Sequence, residues 1–156
     1  MIEYCRSNEP WLLDFIEALV ASESPSDDPA AVNRCGKELA SRLEAIGGVV
    51  TRMPAGGSAT AGDHLRVRFG SGEKQVLLLG HFDTVWPLGQ LVRMPIKREN
   101  GRLYGPGVFD MKAGIALGAL ATRAVREHHD LADTSIVMLW TTDEEIGSGT
   151  SRAIIE

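Results

Sequence analysis

Apolar residues recur at helical spacing through the first part of the chain and later give way to short continuous runs. Trp11, Leu12, Phe15, Ile16, Leu19 and Val20 fall three and four apart, which predicts a helix with one buried face. Pro10 suits its first turn. Residues 22–29 break the pattern with turn formers. Asp27 or Asp28 then caps a second predicted helix, with Pro29 in its first turn and Gly47-Gly48 past its end. Val32, Leu39, Leu43 and Ile46 form its buried stripe. Residues 49–53 predict a strand, followed by a loop over 54–62. Residues 64–69 alternate as a half-exposed strand does, and Ser71-Gly72-Glu73 turns the chain. Residues 76–79 are an unbroken apolar run, as expected of a strand covered on both faces. Residues 111–127 are rich in Ala and Leu with apolar positions all round, which predicts a well-buried helix, and 136–140 predict another central strand.

Helix and strand alternate without repeats or low-complexity tracts, so the pattern predicts an α/β layered domain. A length of 156 residues suits one domain with its own core. The hydrophobic share of 44% and charged share of 24% are ordinary for a soluble globular chain. A net charge of -5 offers no basic stripe to neutralise phosphates, which excludes a nucleic-acid partner. The one positive cluster, Arg93 to Arg98, is interrupted by Pro95 and reads as a solvated loop or strand edge. Met1-Ile-Glu-Tyr-Cys-Arg-Ser lacks a basic region followed by an apolar one, so no secretory signal is visible. No apolar stretch approaches the roughly 20 residues that span a bilayer, which leaves no membrane partner. Cys5 and Cys35 form no CxxC pair and read as free thiols in a reducing, cytoplasmic setting.

Three polar stations follow apolar runs: His81-Phe82-Asp83, Asp110, and Glu144-Glu145. Open α/β sheets place ligands at the carboxyl ends of their strands, where such side chains are delivered. An imidazole, a carboxylate and a distant acidic pair suit a divalent ion, with one carboxylate left to work on an attacking water. Each station also has a plainer reading. His81 and Asp83, two apart, are either a ligand with its orienting carboxylate or a polar strand end capped by Asp83 and Thr84. Asp110, after Gly105-Pro106-Gly107, is either a bridging carboxylate or the cap of the next helix. Its GxGxxD pattern lacks the third glycine of a dinucleotide fingerprint, which rules out a Rossmann cofactor. Asp143-Glu144-Glu145 is either an acidic cluster awaiting a cation or a solvated helix entry. His64 reads as part of an amphipathic strand, and His128-His129 as the end of a helix.

Taken together, Leu77-Leu-Leu-Gly-His81-Phe-Asp83-Thr-Val85, Leu103-Tyr-Gly-Pro-Gly107-Val-Phe-Asp110-Met-Lys112-Ala-Gly114 and Thr142-Asp-Glu144-Glu145-Ile-Gly-Ser148 resemble the M20 family of zinc-dependent peptidases and amidohydrolases. The closest likeness is to its glutamate carboxypeptidase branch. The resemblance implies a three-layer α/β/α sandwich with a mixed, largely parallel sheet. It implies His81 as a ligand of one zinc, Asp110 as the bridge between two, and Glu145 as a ligand of the other, with cobalt or manganese as substitutes. Glu144 resembles the general base, and Asp83 the residue that orients a metal-site group. Members also carry a cis peptide after the bridging aspartate, which falls at Asp110-Met111. The implied reaction is hydrolysis of an amide bond in a small peptide or N-acyl amino acid, deacetylases and desuccinylases sharing the same chemistry.

The departures shape the expectation. Members are typically more than twice this length, and supply a further acidic ligand soon after the Glu-Glu pair and a late histidine. Residues 1–156 are therefore expected to be a truncated, amino-terminal part of the catalytic domain, without the lid domain through which the parent forms a homodimer. Each zinc would have two protein ligands from this chain, His81 with Asp110 and Asp110 with Glu145, where zinc sites normally have three or four. A non-catalytic fragment that binds metal weakly, or serves as an interaction piece, is the expected alternative.

Overall fold

The computed structural model describes residues 1–55, 61–129, 131 and 133–156. Helix α1 (Ile2–Ser7) leads into α2 (Glu9–Ala21), which carries Pro10 in its first turn and buries Phe15, Ile16, Leu19 and Val20. Helix α3 (Pro29–Ala45) is capped by Asp28, whose side chain accepts the Ala31 N–H at 2.9 Å, so Asp28 and not Asp27 starts it. Gly47 ends the connection in the left-handed region, φ 83°, where a side chain would be strained. The strands β1 (Val49–Met53), β2 (His64–Phe69) and β3 (Lys74–His81) come next. The predicted loop over 54–62 lies partly outside the described residues. A short helix α4 (Gln90–Arg93) and a small hairpin, β4 (Lys97–Glu99) with β5 (Arg102–Tyr104), precede α5 (Ala113–His128). Strand β6 (Thr134–Thr141) and the single turn α6 (Arg152–Ile155) complete the chain order.

The main sheet has the order β1-β2-β6-β3. Leu65, Val67 and Phe69 of β2 lie on the same face as Trp140, Met138 and Ile136 of β6, and α2, α3 and α5 all pack onto that face. The resulting core is dense enough that Phe15, Leu19, Leu39, Leu43 and Ile115 are fully buried. Truncating one of these leucines to alanine costs about 2–5 kcal/mol, because the lost burial leaves a cavity. This is the expected α/β class with a mixed sheet, and the described residues supply the sheet and one helical layer of the expected sandwich. Among the described pairings the balance is not largely parallel: β1–β2 and β2–β6 are antiparallel, and only β3–β6 is parallel.

Strand β3 departs from the prediction of cover on both faces. It is the edge strand among the described residues, and Leu77 and Leu79 are 54% and 47% exposed. Their neighbours Leu78 and Gly80 face α5 and Trp140, so strict alternation turns Leu77 and Leu79 away from the helical layer. Helix α5 also differs. It starts at Ala113 because Asp110 (φ -123°, ψ 100°) and Met111 (φ -130°, ψ 32°) are not helical, and Asp110-Met111 is cis as the resemblance implied. It is not buried all round either: Ile115, Ala116, Ala119 and Leu120 face inward while Leu117 is exposed. Gly114, Leu117 and Ala121 make the outer face look apolar in sequence although all three are exposed.

Parallel pairing sets His81 opposite Thr141, so β3 and β6 finish at the same end of the sheet. The residues that leave both strands therefore meet. No helix among the described residues is long and apolar enough to cross a membrane.

Candidate metal centre

His81 is the last residue of β3 and nearly buried. Its Nδ1 lies 3.2 Å from the Asp83 carbonyl oxygen and 3.3 Å from Asp83 Oδ1. Its Nε2 faces outward, 3.1 Å from Asp110 Oδ1 and 3.7 Å from Glu144 Oε2. Asp110 is delivered by a tight turn, Val108–Lys112, closed by the Lys112 N–H donating to Gly107 O at 3.0 Å. Gly107 has φ 69°, and a Cβ there would stand 2.6 Å from Thr84 Cγ2. The turn can therefore pass this close to the loop after β3 only with glycine. Lys112 anchors it from below: its buried Nζ donates to Leu19 O at 2.8 Å and Ser22 O at 3.2 Å, at the end of α2.

Glu144 and Glu145 occupy one turn after β6, Glu144–Ile146. Gly147, φ 97°, closes it, its N–H donating to Glu144 O at 3.0 Å, and the Ser148 N–H donates to Asp143 O at 2.7 Å. One donor atom each from His81, Asp110 and Glu145 then fall within 4.8 Å of one another. These three could hold a metal ion, and Glu144 stands beside them, more than half exposed at its side chain.

Behind this group lies Asp83, fully buried. Its Oδ2 accepts the Ser26 hydroxyl at 2.7 Å and the Glu145 N–H at 3.3 Å. Oδ1 has no hydrogen-bond donor among the described residues and faces His81 Nδ1. The segment around Ser26 is pinned to the same loop. Ser24 Oγ donates to Phe82 O at 2.6 Å, the Thr84 N–H to Ser24 O at 2.9 Å, and the Ser26 N–H to Thr84 O at 3.1 Å. In sequence, residues 22–29 read only as a break between helices. Two serines flanking Pro25 are the available signal, and nothing local marks what they face.

The electrostatics reflect this crowding. Burial lowers the proton affinity of His81, but the facing carboxylates of Asp83 and Asp110, together with the charge of Glu144, outweigh it and push the ring up to about 9. Burial raises the Glu145 carboxyl above its ordinary value, and the charges of Asp110, Asp83 and Glu144 add to that against the opposing effect of His81. The group holds more acid than its one histidine neutralises.

The three predicted stations thus come together, with Asp83 in contact with two of them. Two plainer readings change. Asp110 makes no capping bond; the residue before α5 is Lys112, which also makes none. Asp143 separates from the two glutamates: its buried Oδ2 accepts from Thr150 N at 2.6 Å, Thr150 Oγ at 2.8 Å and Ser151 N at 3.2 Å. Burial acts to raise its carboxyl, but the bonds from Ser151 and Thr150 win and hold it below its ordinary value. His64 is buried and not half-exposed, with Nδ1 3.1 Å from Thr142 Oγ1 and Nε2 3.1 Å from Thr150 Oγ1. His128 ends α5 as expected, its ring edge-on to Tyr4 with centroids 5.3 Å apart.

Comparison with known proteins agrees with the geometry. Carboxypeptidase G2 of Pseudomonas sp. (strain RS-16) is 31% identical across 100% of this chain and 38% of its own length. Succinyl-diaminopimelate desuccinylase of Leptothrix cholodnii is 35% identical across 85% of this chain and 36% of its own. Human carnosine dipeptidase 1 superposes with a TM-score of 0.78 at 22% identity, over 98% of this chain and 36% of that one. The M20 family metallo-carboxypeptidase Sso-CP2 from Sulfolobus solfataricus gives 0.74 at 19%, over 92% and 33%. These two solved structures speak to the fold alone. The chain spans little more than a third of the relatives it matches. Residues 77–156, the stretch that carries all three stations, match Peptidase family M20/M25/M40. With that match, and similarity to carboxypeptidase G2 along the whole of the given chain, the chain belongs to this peptidase family.

Proposed function

We propose that the chain supplies the donors of a divalent-metal centre in a hydrolase that cleaves an amide bond in a small peptide or N-acyl amino acid. The observation that carries this reading is the convergence of His81, Asp110 and Glu145, with donor atoms within 4.8 Å of one another. Their chemistry fits such an ion. One imidazole and two carboxylates suit zinc, with cobalt or manganese as substitutes. Burial first, and then the charges of Asp110, Asp83 and Glu144, raise the Glu145 carboxyl, and a bound cation would oppose both. A histidine ligand ordinarily has a carboxylate or carbonyl behind its other nitrogen, and His81 has both from Asp83.

In this reading His81, Asp110 and Glu145 would be the residues of this chain that hold the metal, as a single ion or, as the family resemblance implies, with Asp110 shared between two zinc ions. When bound, the ions polarise the scissile carbonyl and acidify the attacking water. Glu144 accepts the proton of that water and returns it to the leaving amine. Asp83 keeps the His81 ring turned so that Nε2 faces the donors.

Similarity to the desuccinylase relative supports a second reading, removal of an acyl group from an amino acid, with the same residues at work. The small donor set supports a third, in which this chain binds metal without turnover. Zinc stoichiometry by elemental analysis, paired with hydrolysis of an N-acyl glutamate and of an N-succinyl diamino acid, separates the three. Zinc uptake that His81→Ala and Asp110→Ala leave intact sinks all of them.

A further inference from the structure

One hydroxyl lies behind both the β3 and β6 stations. Ser26 is nearly buried between α2 and α3, and its Oγ stands 2.7 Å from Asp83 Oδ2 and 3.3 Å from Thr84 O. It has a single hydrogen to give, and the shorter, charge-assisted bond to the carboxylate takes it. Asp83 has few alternatives. Its Oδ2 accepts otherwise only the Glu145 N–H at 3.3 Å, and Oδ1 has no donor among the described residues. Without the Ser26 hydroxyl, little would hold the carboxylate in the rotamer that presents Oδ1 to His81 Nδ1 and Oδ2 to the Glu145 backbone.

We propose that Ser26 is a positioning residue for the metal centre: through Asp83 it fixes the His81 ring and the Glu145 turn together. The inference rests on the reading of His81, Asp110 and Glu145 as metal donors, and it adds a residue from the first connection of the chain. Ser24 makes the natural comparison. It lies on the same segment and bonds the same loop, through Phe82 O at 2.6 Å, but does not touch Asp83. A role in pinning the segment alone would make the two serines equivalent. A role through the carboxylate sets Ser26 apart.

The test is cobalt(II) titration of the chain, read by dissociation constant and by the visible absorption of the bound ion. Ser26→Ala is expected to weaken binding by about tenfold, the lower end for an outer partner of a ligand, and to alter the cobalt spectrum. Ser24→Ala is expected to lower the thermal midpoint while leaving both readouts at the wild-type values. Ser26→Cys fills a similar volume with a weak donor and should show the same loss as Ser26→Ala, so a folding defect in the alanine variant does not hide the answer. Ser26→Thr, which keeps the hydroxyl, should restore the wild-type spectrum. Unchanged binding in Ser26→Ala and Ser26→Cys, or equal losses in the Ser24 and Ser26 variants, overturns the positioning role alone. A wild-type chain that takes up no cobalt overturns the metal reading and this inference with it.

Discussion

His81 Nε2 stands 3.1 Å from Asp110 Oδ1 while its Nδ1 lies 3.3 Å from Asp83 Oδ1, so one imidazole is held between two carboxylates on separate loops. In the metal-free chain this arrangement favours the imidazolium, with the ring pushed up to about 9. A histidine raised above its unfolded value, about 6.5, stabilises the fold fully below that value and loses the contribution as pH rises through the folded one. The metal-free chain is therefore expected to become less stable between about pH 6.5 and 9, as read by urea midpoints across that range. His81→Gln should flatten this part of the profile. A midpoint that rises with pH over the same window contradicts the assignment.

His64 predicts the opposite slope. Its pKa is lowered by burial, against the weaker pull of Asp143, Asp63 and Asp83. A histidine depressed on folding costs nothing above its unfolded value, and destabilises progressively as pH falls below about 6.5 toward the folded one. The neighbours of His64 do not favour the charged form enough to reverse this. Thr142 Oγ1 donates to Gly62 O at 2.7 Å and Thr150 Oγ1 to Asp143 Oδ2 at 2.8 Å, so each hydroxyl has spent its one hydrogen and toward His64 can only accept. His64→Asn should remove the destabilisation seen on acidifying from pH 6.5 to 5.5. The same urea series checks it, and a slope unchanged by the substitution counts against it.

The two histidines also show where legibility ends. His81 is legible because it closes an apolar strand, and Glu145 because it follows another, while Asp110 is marked by the glycine-rich turn before it; all three are local signals. The amphipathic stripe of α3 and the cap at Asp28 are legible for the same reason. His64 reads as half-exposed because its strand alternates, yet what buries it is the turn around Thr150, far along the chain. Asp143, Glu144 and Glu145 look alike in sequence and part only because Thr150 and Ser151 fold back onto Asp143. Ser26 faces Asp83 across a separation of 57 residues that no local pattern encodes. Strand β3 reads as central from its leucines, and its place at the edge among the described residues is set by pairing partners its own sequence does not encode.

Lys112 gives a prediction about how the Asp110 turn is supported. A buried lysine is costly, and burial lowers its pKa, but its Nζ is the donor to both Leu19 O and Ser22 O. Beyond it, among the described residues, Leu19 O has a weak approach from Cys35 Sγ at 3.9 Å. Lys112→Met keeps the aliphatic stem and leaves those carbonyls short of a donor. Unpaired buried groups outweigh the relief from desolvating a charge, so the variant should lose about 1–3 kcal/mol in chemical denaturation. A neutral or stabilising result would show that packing of the stem is all the turn requires.

Glu144 and Glu145 are adjacent, yet the proposed roles separate them by measurement. Glu145 shares the donor cluster with His81 and Asp110, while Glu144 stands 3.7 Å from His81 Nε2 with its side chain more than half exposed. Removing a general base typically costs about 100- to 10,000-fold in rate without touching the metal. Glu144→Ala is thus expected to abolish measurable hydrolysis of an N-acyl glutamate while zinc content, by elemental analysis, stays at the wild-type value. Glu145→Ala should lose zinc first and turnover as a consequence, and added zinc should restore part of its activity but none in Glu144→Ala. Equal loss of zinc in both variants would make Glu144 a ligand, and the base would have to be sought elsewhere.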